Sequence, residues 1–165
     1  MHTERMIHPD LAEAERLIKL LGRECSRPTP EAHNAEYGAA IATSGRASIR
    51  FRVGKLTPTK VGLFVAVWRR SPDGGTEPFP ADHPTADDAD TLVVSVREGE
   101  KSGHFVFPRS AMISHGIVSV KGTGGKRGFR VYPPWSLTSS RQARKTQESQ
   151  CAYFHDSSDM GLPAS

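Results

Sequence analysis

The residues of this 165-residue chain best suited to chemistry are cations set among glycines, in Gly122-Thr123-Gly124-Gly125-Lys126-Arg127-Gly128-Phe129-Arg130. Glycines let a backbone approach phosphate closely, and Lys126, Arg127 and Arg130 supply the charge to hold it. The run is not a Walker A loop, because the G-x-x-x-x-G-K-[ST] frame requires Ser or Thr at 127 and the chain has Arg127. Tyr132-Pro133-Pro134-Trp135 follows at once. Aromatic faces beside cations are what base stacking requires, so Trp135 is a candidate platform. The plainer alternatives are a glycine-rich hairpin with solvated cations and a Trp135 packed as core.

A second possible chemistry is phosphodiester hydrolysis, which needs converging carboxylates, a metal and a lysine. Glu36, the cluster Asp87, Asp88 and Asp90 just ahead of a strand, and Lys55 are the candidates. No E-x-K or D-x-K pair stands on the basic strands, and a solvated acidic loop explains the same cluster. The seven histidines are scattered, with no H-E-x-x-H spacing, and there is no G-x-S-x-G elbow. Cys25 and Cys151 are far apart and lack the close pairing of a zinc site. No resident metal or cofactor is expected.

The charge is segregated. The formal net charge is +4, with a pI near 9.3. From Arg46 to Pro72 the chain carries Arg46, Arg50, Arg52, Lys55, Lys60, Arg69 and Arg70 and no acid. From Lys101 to Gln147 it carries nine cations, including Lys126, Arg127, Arg130, Arg141, Arg144 and Lys145, again with no acid. The acids concentrate between them, from Asp73 to Asp90. Cations massed without counter-charges repel one another, so such a surface is stabilised by an anionic partner, a polyphosphate backbone above all. The alternative is that the acidic segments neutralise the basic ones within the fold.

The elements that must position these residues follow from periodicity. Leu11, Ala14, Leu17, Ile18 and Leu21 make an apolar stripe and predict an amphipathic helix from about Pro9 to Leu21. Ile49-Arg50-Phe51-Arg52-Val53 alternates apolar and basic, which predicts a half-exposed strand with both arginines on its solvent face. Gly62 to Trp68 is almost wholly apolar and predicts a central strand. Thr91–Val96 and His104–Phe107 predict a hairpin, and Ile117–Val120 and Gly128–Tyr132 further strands. Pro108 opens a short helix, and Ser139 or Ser140 caps a last helix reaching about Phe154. The sum is one α+β domain over residues 8–155, with a mostly antiparallel or mixed sheet and flanking helices, and a flexible tail over 156–165.

Five motifs, in order, resemble the MepB family: Asn34-Ala35-Glu36-Tyr37-Gly38-Ala39; Phe51-Arg52-Val53-Gly54-Lys55-Leu56-Thr57-Pro58-Thr59-Lys60-Val61-Gly62; Phe105-Val106-Phe107-Pro108-Arg109; Gly125 through Trp135; and Gln142-Ala143-Arg144-Lys145-Thr146-Gln147. The resemblance covers most of residues 10–155. It implies a compact bacterial cytoplasmic domain and supplies no catalytic residue.

The function expected from the residues is DNA or RNA binding without strong sequence readout. Arg50, Arg52, Lys55 and Lys60 would meet one stretch of backbone, and Lys126, Arg127 and Arg130 another. Arg141, Arg144 and Lys145 would extend the surface, with Trp135 as the stacking platform. The alternatives are a metal-dependent nuclease built on Glu36 and the Asp87–Asp90 cluster, and a regulatory module whose basic face docks an acidic protein. No apolar run approaches the roughly 20 residues that span a bilayer, so a cytoplasmic, membrane-free protein is expected.

Overall fold

The structure, a computed structural model, describes residues 8–81 and 89–160. In chain order the elements are α1 (Pro9–Leu20), β1 (Thr29–Pro30), β2 (Ala40–Ser44), β3 (Ala47–Val53), β4 (Lys55–Leu56), β5 (Leu63–Ala66), β6 (Trp68–Arg70), β7 (Thr76–Pro78), β8 (Ala89–Glu98), β9 (Lys101–Pro108), α2 (Arg109–Ser114), β10 (Gly128–Val131), α3 (Arg141–Cys151) and β11 (Phe154–Asp156). Short 3-10 turns occupy Ala35–Tyr37 and Ser157–Met160. The fold is α+β, as expected.

Six strands form the large sheet in the order β1-β2-β3-β8-β9-β11. All neighbours are antiparallel except β3 and β8, which run parallel. A three-stranded sheet, β10-β5-β4, lies apart from it, and β6 and β7 pair alone. The layering follows from which residues alternate to which side. Ile49, Phe51, Val53 and Val93 pack with Leu11, Ala14 and Ile18 of α1 in one apolar cluster. Leu92, Val94, Val96, Phe105 and Phe107 pack with Leu63, Val65, Phe129 and Val131 of the small sheet in the other. The large sheet is therefore the middle layer, with α1 on one face and the small sheet on the other. Each fully buried Leu, Ile or Phe contributes about 1.5–3 kcal/mol.

The predicted first helix appears as α1, with Pro9 opening it and the imidazole of His8 accepting from the Asp10 N–H. The predicted hairpin appears as β8 and β9. Three expectations need correction. The apolar run from Gly62 breaks at Val67, whose N–H turns to the carbonyl of Arg127, so Trp68 starts β6 in a separate ribbon. Ile117–Val120 forms only isolated bridges, Pro80 with Ser119 and Val120 with Thr123. The last helix ends at Cys151, and Phe154–Asp156 joins the large sheet beside β9. The Ser157 hydroxyl then accepts from that of Ser102. Residues 161–165 of the expected tail lie outside the described residues. No helix among the described residues is long and apolar enough to cross a membrane.

Candidate nucleic-acid interface

The two arginines expected on an exposed strand face are internal. Arg50 is 4% exposed and Arg52 0%. Alternation on β3 does not mark a solvent face, because β3 sits mid-sheet between β2 and β8 with a packed layer on each side. Both guanidiniums pair with the carboxylate of Glu31, which is itself buried. Both also lie over the Phe79 ring, at 4.5 and 5.3 Å from its centroid. Arg52 further donates to the carbonyls of Ala66 (3.0 Å) and Phe51 (2.9 Å). Burial pulls its pKa down to about 10 against the opposing pull of Glu31. Arg52 thereby ties β3 of the large sheet to β5 of the small one, and neither guanidinium stands on an exposed strand face.

The neutralisation expected as an alternative is thus real for the first stretch. Arg50 and Arg52 take Glu31, and Arg69 takes Glu77 at 2.8 Å. In the second stretch, Lys126, Arg127, Arg130, Arg141, Arg144 and Lys145 make no ion pair among the described residues. The same holds for exposed Lys55 and Lys60.

These free cations are brought together by the small sheet and α3. Lys55, Phe64 and Arg130 stand in one register line across β4, β5 and β10. Arg130 donates to the Thr57 hydroxyl at 2.6 Å and the Val61 carbonyl at 3.2 Å, which fastens the loop bearing Lys60 while leaving the charge uncancelled. Gly62, at φ +85°, closes that loop where a Cβ would lie 2.7 Å from the Val131 carbonyl. Arg127 is held on the other side, donating to the hydroxyl and carbonyl of Thr76 at 3.0 Å each.

Beside β10 lies a cleft of about 320 Å³ lined by Lys126, Arg130, His115, Tyr132 and the first turns of α3, with no carboxylate among its lining residues. Burial lowers the pKa of His115, and the positive charge of Lys126 lowers it further. Its Nε2 meets the Ser149 hydroxyl at 3.1 Å. The α3 N-terminus is capped by Ser140, whose hydroxyl accepts from the Ala143 N–H at 3.0 Å. Arg141, Arg144 and Lys145 are exposed on this helix.

The helix has almost no apolar stripe, and amide side chains dock it instead. Gln147 donates to the carbonyls of Pro133 (2.8 Å) and Ser136 (2.9 Å), and Gln150 bonds the backbone of β10. Glu31, Gln147 and Gln150 are structural residues that periodicity could not single out. The available signal was chemical: two arginines alternating with apolar residues on one strand require a carboxylate from elsewhere.

Trp135 is not a free platform. Its ring meets Phe154 edge-on at 5.7 Å, its Nε1 donates to Glu98 at 3.1 Å, and it packs against the larger core. Of the candidate nuclease residues, Glu36 is exposed on the 3-10 turn and Asp90 pairs with Arg23 at 2.9 Å. Asp87 and Asp88 lie outside the described residues. Among the described residues no group of three His, Cys, Asp or Glu could hold a metal ion.

A sequence profile described as MepB-like matches residues 31–156. A crystal structure of MepB superposes with a TM-score of 0.73 at 32% identity, covering 86% of this chain and 93% of that one. No curated protein matches the chain.

Proposed function

This chain belongs to the MepB-like family, and we propose that it binds nucleic acid through the basic face carrying Lys55, Lys60, Arg130, Lys126 and the exposed side of α3. The observation that carries this reading is the cleft in which Lys126 and Arg130 converge on the first turn of α3 with no acid in its lining. The first N–H groups of a helix are orphan donors at the positive end of its dipole, so a phosphate seated there is met by amides as well as by side-chain charge. Arg141, Arg144 and Lys145 extend the same field along the helix surface. Contacts of this kind go to sugar-phosphate backbone, so affinity is salt-dependent and nearly indifferent to sequence. The setting proposed is the bacterial cytoplasm, with DNA or RNA as the partner. No cofactor is invoked.

Electrophoretic shift on DNA and RNA across a salt series tests this. Affinity should fall linearly with salt on logarithmic axes, and Lys126→Ala should weaken binding to every sequence alike. Absence of any shift at low salt, where phosphate contacts are strongest, ends the proposal.

A further inference from the structure

The outward face of the small sheet offers the aromatic surface that Trp135 does not. Leu63 and Val65 alternate into the core, so Phe64 between them points the other way and belongs to neither apolar cluster. Tyr37, on the 3-10 turn Ala35–Tyr37, meets Phe64 edge-on with centroids 6.2 Å apart and planes at 67°. The Lys55 ammonium lies 4.9 Å from the Tyr37 centroid. Phe64 is flanked in register by Lys55 on one side and Arg130 on the other. On the same face Gly128 has no side chain where a Cβ would collide with the Phe64 ring. Both rings are partly exposed. Arg130 lines the cleft as well, so this face and the phosphate seat share a residue.

We propose that this face is a stacking platform for single-stranded nucleic acid. Bases lie against Tyr37 and Phe64, Lys55 and Lys60 take the adjoining phosphates, and Arg130 continues the path into the cleft. Two partly exposed rings beside cations that make no ion pair among the described residues are complementary to unstacked bases on a charged backbone. A duplex keeps its bases stacked on one another and cannot present their faces to the rings. The inference rests on the nucleic-acid reading above and adds the class of strand.

The test is fluorescence anisotropy with three labelled probes of equal length: an oligothymidylate, the same strand with abasic residues, and a duplex. The abasic strand keeps the phosphates and lacks the bases. The expected result is oligothymidylate bound roughly tenfold more tightly than the other two, in keeping with one or two stacked bases. Tyr37→Ala should remove most of that advantage and Tyr37→Phe should keep it, with circular dichroism showing that both variants fold. Equal affinity for thymidylate and abasic strand, or a ratio unmoved by Tyr37→Ala, overturns the platform and leaves the nucleic-acid reading standing. No binding of any probe at low salt overturns both.

Discussion

Gln150 stands where the next strand of the small sheet would be. It donates its side-chain N–H to the carbonyl of Arg130 at 2.9 Å, and its Oε1 accepts from the Tyr132 N–H at 2.9 Å. A primary amide carries the same donor and acceptor as a peptide group, so one side chain closes the edge of β10 and fixes α3 against it. Gln150 is 3% exposed. Replacing it with Leu orphans a backbone carbonyl and an N–H, at a cost of about 1–3 kcal/mol. Urea denaturation checks this, and an unchanged midpoint would show that the amide is dispensable.

Glu31→Gln should be far more damaging than a typical surface substitution. It removes the carboxylate that Arg50 and Arg52 share and leaves guanidinium charge inside the protein. Breaking a buried pair from one side costs about 3–5 kcal/mol. Glu36→Gln, at an exposed position, should change stability by less than about 0.5 kcal/mol. The comparison of the two denaturation midpoints is the measurement.

Stability should fall on mild acidification. His104 is 1% exposed, with its Nδ1 2.8 Å from the Ser95 hydroxyl. Burial lowers its pKa below the ordinary 6.5, against the opposing pull of Glu13 and Asp10 from α1 and with a further lowering by His155 from β11. His33, His115 and His155 are lowered too, burial being the largest cause in each. A base whose folded pKa lies below its unfolded one binds protons more readily when unfolded. The stabilisation is therefore whole above about pH 6.5 and is lost as pH drops through the folded values. Midpoints measured between neutral and mildly acidic pH should decline, and His104→Gln should flatten the decline.

Arg144→Ala and Lys145→Ala should each weaken nucleic-acid binding by a similar factor for all sequences. Each should also reduce the slope of log affinity against log salt by about 1. Titrations at three salt concentrations read both quantities. A variant that changes affinity with an unaltered slope would mean that its side chain does not touch phosphate.

Local patterns carried much of this fold. The stripe from Leu11 to Ile18 gives α1, and the two runs around Gly99 give the β8–β9 hairpin, because each depends on neighbours in the chain. The arginines of β3 show the limit. A period of two says that Arg50 and Arg52 share a side, and only the strand's place in the sheet says whether that side meets water. Their partner Glu31 sits 19 positions before Arg50, in a segment with no periodicity of its own. Trp135 is similar, since its neighbour Phe154 comes from the far end of the chain. An acid-free stretch is no guide by itself: Arg46 to Pro72 lacks acids as Lys101 to Gln147 does, yet Arg50 and Arg52 draw Glu31 from outside their stretch. The Tyr37–Phe64 contact joins a residue of the first family motif to one just past the end of the second, which no spacing within a motif could reveal.

The small sheet is threaded through the large one. Its strands β4 and β5 are made before the β8–β9 hairpin and β10 after it, while the parallel partners β3 and β8 are separated by all of β4 to β7. The small sheet cannot be finished by a growing chain until residues near Val131 have left the ribosome, nor the large one until Asp156 has. Closing such distant pairings is entropically slow, so cutting the chain between β9 and β10 should yield two fragments that each collapse without their own complete core.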